Sequence, residues 1–166
     1  MELDINPTQR IEDEIIEGTL TCASCSNLYP ITNGIPRFVK NDENYAKNFG
    51  FQWHKFRETQ IDRFGNHKLS GSRLLKDTKW SPEFIQGKII LDAGCGAGRF
   101  ADELAQNGAK VIACDLSGVV DACKKTVDDP HGYSPNRVTV TVIQANLLAL
   151  PFKQNVFDAI HCAGVI

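Results

Sequence analysis

The sequence predicts an α/β fold on a doubly wound parallel sheet, from three observations. Apolar runs at about 88–91, 110–115, 138–144 and 157–162 read as strands. Helical patterns separate the first three, and that alternation yields parallel strands joined by right-handed crossovers. The third observation is a glycine-rich turn between the first strand and its helix, from Asp92 to Phe100. Glycines there let the backbone approach a ligand closely, and the helix N-terminus offers unpaired amides.

The first strand, Lys88-Ile89-Ile90-Leu91, leads into Asp92-Ala93-Gly94-Cys95-Gly96-Ala97-Gly98-Arg99-Phe100, and the helix follows in Phe100-Ala101-Asp102-Glu103-Leu104-Ala105. The spacing separates this turn from two other nucleotide loops. A dinucleotide fingerprint places glycine where Arg99 stands, and a phosphate loop needs Gly, four residues, Gly, then Lys and Ser or Thr. What stands here is D-x-G-x-G-x-G. An acid at the strand end repels a pyrophosphate and suits a ligand that carries an ammonium and a sulfonium. The run L-D-A-G-C-G-A-G-R-F resembles motif I of the class I S-adenosylmethionine (SAM) methyltransferases, whose sheet is Rossmann-like with strand order 3-2-1-4-5-7-6. The resemblance implies SAM as cofactor and Asp92, Ala93, Gly94, Cys95, Gly96 and Gly98 as part of its site.

The second strand, Ala109 to Cys114, ends at Asp115 with Leu116 and Ser117 behind it. An acid at that tip is placed to accept hydrogen bonds from both ribose hydroxyls. Asp115 also reads as a solvated acid before a helix capped by Ser117, and the two readings coexist. The third strand runs from Val138 to Gln144 into Ala145-Asn146-Leu147. In the resembled family an aspartate at the Asn146 position accepts from the adenine amino group while the next backbone amide, here that of Leu147, meets the ring. Asparagine keeps a carbonyl acceptor but loses the charge, and it reads equally as a turn residue. In the fourth strand, Phe157 to Cys162, His161 has no identifiable partner and receives no role. Ala163 falls where the family's chain passes the methionine part of SAM.

Residues 1–40 read as a small β-rich appendage. Leu20 to Phe38, with Cys22-Ala23-Ser24-Cys25 and the turn signal Asn33-Gly34, resembles the second half of a zinc ribbon known as a methyltransferase activator. Tyr29, Ile31 and Ile35 supply its apolar face. Structural zinc takes four ligands and no second cysteine pair lies between Met1 and Thr21, so no metal is expected at Cys22 and Cys25. His54 and His67 lie further along without metal-site spacing. The other four cysteines, Cys95, Cys114, Cys123 and Cys162, read as small buried hydrophobes.

Residues 41–87 read as a helical lead-in covering the SAM pocket, and 88–166 as the SAM-binding domain. Tyr45, Phe49, Trp53 and Phe56 recur at helical spacing. By resemblance to the lead-in of type 11 methyltransferases, Arg73 pairs with the SAM carboxylate, a fork that guanidinium suits. Ser81-Pro82 reads as an N-cap followed by a first-turn proline.

The chain of 166 residues is 42% hydrophobic and 23% charged, with net charge -2. That composition is globular and carries no basic footprint for nucleic acid. No apolar run approaches membrane-spanning length, and the N-terminus lacks a signal pattern, so the expected compartment is cytoplasmic. The sequence stops at Ile166, directly after the fourth strand. The expectation is therefore an incomplete C-terminus, with a fourth-strand edge open to pairing in a homo-oligomer. The implied activity is methyl transfer from SAM to an unidentified acceptor by in-line displacement, and the alternative is a non-catalytic SAM-binding fragment.

Overall fold

A computed structural model describes residues 2–39, 57–135 and 137–165. The helical spacing of Tyr45, Phe49, Trp53 and Phe56, and with it His54, lies outside the described residues. The chain begins with four antiparallel strands: β1 (Leu3–Ile11), β2 (Glu14–Cys22), β3 (Leu28–Thr32) and β4 (Ile35–Pro36), in the order β1-β2-β3-β4. The Asn33-Gly34 turn closes β3 on β4 with positive φ at both residues, 54° and 73°, the backbone twist that a two-residue hairpin needs. The long β1–β2 hairpin was not legible in the sequence. Leu3 to Ile11 is polar at most positions and exposed along nearly its whole length, so it shows little alternation to read.

Among the described residues a 3-10 turn (Arg57–Gln60) and three α-helices follow, α1 (Asp62–Gly65), α2 (Leu69–Thr78) and α3 (Pro82–Ile85). Ser81 caps α3 as its sequence promised: its hydroxyl accepts from the Phe84 amide at 3.2 Å with Pro82 in the first turn. The α/β layer then runs β5 (Ile89–Ala93), α4 (Arg99–Gln106), β6 (Lys110–Asp115), α5 (Val120–Asp128), β7 (Val140–Gln144) and β8 (Ala159–Cys162). These four strands are parallel in the order β7-β6-β5-β8.

The Rossmann-like class holds, and the strand order explains the winding. Chain progress from β5 to β6 to β7 moves one way across the sheet, so right-handed crossovers place α4 and α5 on one face. There Ala101, Leu104, Val120 and Cys123 pack with Ile90, Val111 and Val142. Return to β8 reverses direction and carries residues 145–158 over the other face, where Leu147, Leu150, Phe152 and Phe157 cover Leu91, Ala93, Cys114 and Ile143. The reversal falls between β5 and β8, and ligands in open α/β sheets bind outside the carboxyl ends of strands at such a point.

The appendage joins this core. Ile35 is fully buried within the same cluster as Leu104 and Val111. Arg37 bridges to Gln144 as a short parallel extension of the sheet, and the Phe38 amide donates to the Gln144 carbonyl at 2.7 Å. The Arg37 guanidinium also grips Asp121 on α5 at 2.8 Å and the Gln144 side chain at 3.0 Å. The β7 edge is thereby covered at its carboxyl end.

One cysteine departs from its reading. Cys95, Cys114 and Cys123 are buried, but Cys162 is exposed, because β8 hydrogen-bonds only to β5 among the described residues. No helix among the described residues is long and apolar enough to cross a membrane.

Candidate functional site

Parallel register puts the sequence-selected residues at one end of the sheet. Ile143, Cys114, Ala93 and Cys162 are neighbours across β7, β6, β5 and β8. One step beyond that row stand Gly94, Asp115 and Ala163, with Asn146 just past Ala145. Four separate stretches of sequence thus converge because all four strands point the same way.

The glycine turn is anchored to the neighbouring strand. The amides of Gly94 and Cys95 donate to the Cys114 carbonyl at 2.8 and 3.0 Å. The Gly96 amide donates to Asp115 Oδ2 at 3.1 Å, which ties the loop to the second-strand acid. At Gly98, φ is 91°, and a Cβ would lie 3.0 Å from Cys123 Sγ, so the loop can sit this close to α5 only without a side chain. Gly96 also has positive φ, but a Cβ there meets nothing within 4 Å, so the space at Gly96 is open, whereas at Gly94 a Cβ would collide with the Val165 side chain at 2.0 Å.

Asp115 Oδ1 accepts from the Ser117 amide and hydroxyl, both at 2.9 Å. Ser117 is therefore not a plain helix cap. Its hydroxyl also accepts from the Val119 amide at 3.3 Å in the turn before α5, which starts at Val120. These bonds fix the Asp115 carboxylate: Oδ1 accepts twice, and Oδ2, which accepts only from the Gly96 amide, retains a lone pair. Leu116 is part-buried in the turn that follows, its carbonyl taken by the Gln144 side chain at 2.9 Å. Asn146 behaves as the turn residue of its alternative reading: Oδ1 accepts from the Leu148 amide at 2.9 Å and caps the short 3-10 turn Leu147–Ala149.

Asp92 is 2% exposed, on the β5 face that meets α4. Its Oδ1 lies 2.9 Å from Nδ1 of His161, the residue in register with it on β8. Oδ2 is buried without a hydrogen-bond partner among the described residues. Burial pushes the carboxyl above its ordinary range, and His161 pulls it back. The sequence offered no role for His161. A usable signal existed, since Asp92 directly follows the first predicted strand and His161 stands one before the end of the fourth, its neighbour in the resembled strand order, but pairing needed the register.

Arg73 lies over the Phe100 ring at the end of the glycine turn, its guanidinium carbon 5.9 Å from the ring centroid. It is half exposed and pairs with Asp77 at 3.2 Å, one helical turn on along α2. Arg99 instead reaches the lead-in, its Nε donating to Ser70 Oγ at 2.8 Å. Beneath that contact Asp62 is buried and accepts from the Ser70 and Gly71 amides at 2.8 and 3.0 Å, capping the first turn of α2.

Glu103 on α4 faces this cap. Burial, then the nearby Asp62 and Asp102 carboxylates, raise its carboxyl from 4.5 to about 7. A raised acid binds more protons in the folded than in the unfolded chain between those two values, so stability falls as pH rises from about 4.5 to about 7. Urea unfolding at pH 5 and pH 8 is expected to show greater stability at pH 5 from this group. Glu103→Gln is expected to flatten that difference, and an unchanged difference in the variant disproves the assignment.

Cys22 closes β2 and Cys25 lies in the following turn, with the Ser26 amide donating to the Cys22 carbonyl at 2.8 Å. Backbone hydrogen bonding from Ser24, then the Cys25 side chain, lowers the Cys22 thiol below its ordinary range. His67 pairs with Asp62 at 2.9 Å rather than with either cysteine. Among the described residues no group of three or more His, Cys, Asp or Glu side chains is placed to hold a metal ion.

Comparisons with known proteins bring up methyltransferases. Residues 90–166 match the family described as Methyltransferase domain. A demethylmenaquinone methyltransferase of Thermobifida fusca is 35% identical over 75 residues, covering 45% of this chain and 30% of the relative. A ubiquinone biosynthesis O-methyltransferase of Klebsiella pneumoniae is 30% identical over 95 residues, covering 48% of this chain and 38% of the relative. An uncharacterized chloroplastic methyltransferase of Arabidopsis thaliana is 30% identical over 84 residues, covering 49% of this chain and 24% of the relative. The chain thus spans between a quarter and two fifths of these relatives' lengths. A Methanococcus maripaludis structure described as an S-adenosyl-L-methionine-dependent methyltransferase has the same fold, with TM-score 0.53 at 16% identity over 76% of this chain and 54% of that one.

Proposed function

We propose that the chain binds SAM at the carboxyl ends of β5, β6 and β7 and forms the donor half of a methyltransferase acting on an unidentified acceptor. The observation that carries the reading is the Gly96–Asp115 contact, which sets a glycine turn, open at Gly96, beside an oriented carboxylate. The residues fit the cofactor on this structure's own terms. Open space lies over Gly96, Asp115 is oriented with a lone pair to spare on Oδ2, and Asp92 keeps one buried oxygen without a well-aligned hydrogen bond among the described residues.

SAM supplies a methyl group on a sulfonium, a leaving group that is already activated. The chain's part is to hold the donor. In this reading Asp115 accepts from the ribose hydroxyls, and Leu116 lies beside them. Asn146 and Leu147 flank the adenine. The 93–98 turn, with Ala163 beside it, follows the methionine part. Asp92 offers negative charge toward the cationic end. Restricting the donor to one orientation lowers the barrier by positioning, and a base is needed only where the acceptor must lose a proton.

Isothermal titration with SAM and NAD side by side tests the reading. Saturable SAM binding with no comparable NAD binding is expected, and preferential NAD binding overturns it. For the edge of β8 that has no partner strand among the described residues, where Ile160 is 59% exposed, we propose pairing with a second copy of the chain. Sedimentation velocity giving a monomer across micromolar concentrations removes that proposal.

A further inference from the structure

We infer that His161 is a positioning residue of the donor site, holding Asp92 by one carboxylate oxygen so that the other serves the cationic methionine end of SAM. The inference rests on the donor-site reading above and adds a residue to which that reading gives no task.

Four observations carry it. Asp92 and His161 are register partners at the ends of β5 and β8, the strands that flank the reversal of the sheet. Their side chains meet at 2.9 Å and both are nearly fully buried. A buried carboxylate is costly unless a donor meets it, and a ring N–H is the donor that this register supplies. Oδ1 is held by His161, whereas Oδ2 has no well-aligned hydrogen bond among the described residues, and the backbone of Ala101 at the start of α4 adds a weaker influence that lowers the carboxyl. A buried acceptor left open directly before a glycine turn is an unmet demand for a donor or a cation.

His161 does not act as a base on an acceptor in this arrangement. The residue is 6% exposed, and the Phe100 ring lies against it with centroids 4.6 Å apart. Phe100 is in turn flanked by Arg99 and Arg73, whose guanidinium carbons lie 5.0 and 5.9 Å from its centroid. The imidazole is therefore enclosed, and its influence passes through Asp92.

The test compares His161→Asn, His161→Gln and His161→Leu with the unmodified chain. Asparagine carries an amide donor near the place of Nδ1, and glutamine carries it near the place of Nε2. Calorimetry is run with SAM and with 5′-methylthioadenosine, which keeps the nucleoside and lacks the charged amino-acid end. His161→Leu and His161→Gln are expected to weaken SAM binding by about tenfold, the usual effect of losing a hydrogen bond to a charged group. Methylthioadenosine affinity is expected to stay within about twofold, a change near the limit of a measurable free-energy difference. His161→Asn is expected to restore most of the SAM affinity. Thermal melts identify variants that fail to fold, and the Asn and Gln pair then carries the comparison.

Equal losses for both ligands, or an Asn variant no better than Gln, overturn the inference while leaving the donor site standing. An unmodified chain that binds neither ligand instead overturns the donor-site reading on which the inference depends.

Discussion

Asp115→Ala is expected to weaken SAM binding by about 100-fold. In the proposed site the variant removes the acceptor of two ribose hydroxyls, and hydrogen bonds to a charged group contribute about 1.5 kcal/mol or more each, so about 3 kcal/mol is lost. It also releases the Gly96 amide at 3.1 Å and the Ser117 amide and hydroxyl at 2.9 Å, which loosens the turn that should lie under the cofactor. Asp115→Asn keeps one carbonyl acceptor and is expected to fall between the two. Calorimetric titration measures the effect, and circular dichroism verifies that the sheet remains. A folded Asp115→Ala chain that binds SAM as tightly as the unmodified one removes Asp115 from the site.

Arg63→Ala is expected to cost about 3–5 kcal/mol of folding stability, the range found when one partner of a buried ion pair is removed. Asp102, in the first turn of α4, has a side chain only 1% exposed, and Arg63 meets it at 2.9 Å from a side chain 6% exposed. Burial drives the Asp102 carboxyl upward, and Arg63 is the leading influence that holds it down. Arg63 also donates to the Thr126 and His131 carbonyls, so its loss leaves several acceptors unmet at once. Arg137, 3.8 Å from Asp102, offers only partial compensation. Urea unfolding supplies the measurement. Arg63→Met with Asp102→Leu is expected to recover much of the loss, because removing both charges ends the desolvation cost. A single-variant loss below about 1 kcal/mol would place this pair with surface ion pairs instead.

The two predictions differ in where their evidence lies. Asp115 was chosen from sequence, since an acid that ends a predicted strand beside a glycine turn has few places to go in a parallel sheet. Its contact with Gly96 then followed from adjacency of β5 and β6. Arg63 and Asp102 could not be chosen that way. They lie 39 residues apart, on a four-residue helix and in a helix whose acid reads as ordinary first-turn charge.

Sequence alone determined the strand–helix alternation, the glycine turn, the acid that ends β6 and the cap of α3. Each is governed by local physics: periodic burial, positive φ, a side chain reaching its own backbone. Tertiary structure decided what depends on pairing between distant segments. It placed His161 against Asp92, gave Arg73 to Asp77 and set Asn146 as a cap. It also exposed Cys162, buried Asp62 beneath α2, and fused Ile35 and Arg37 of the appendage into the core of the parallel sheet. The physical reason is that burial and register are properties of two surfaces meeting, and a single segment carries only its half of each.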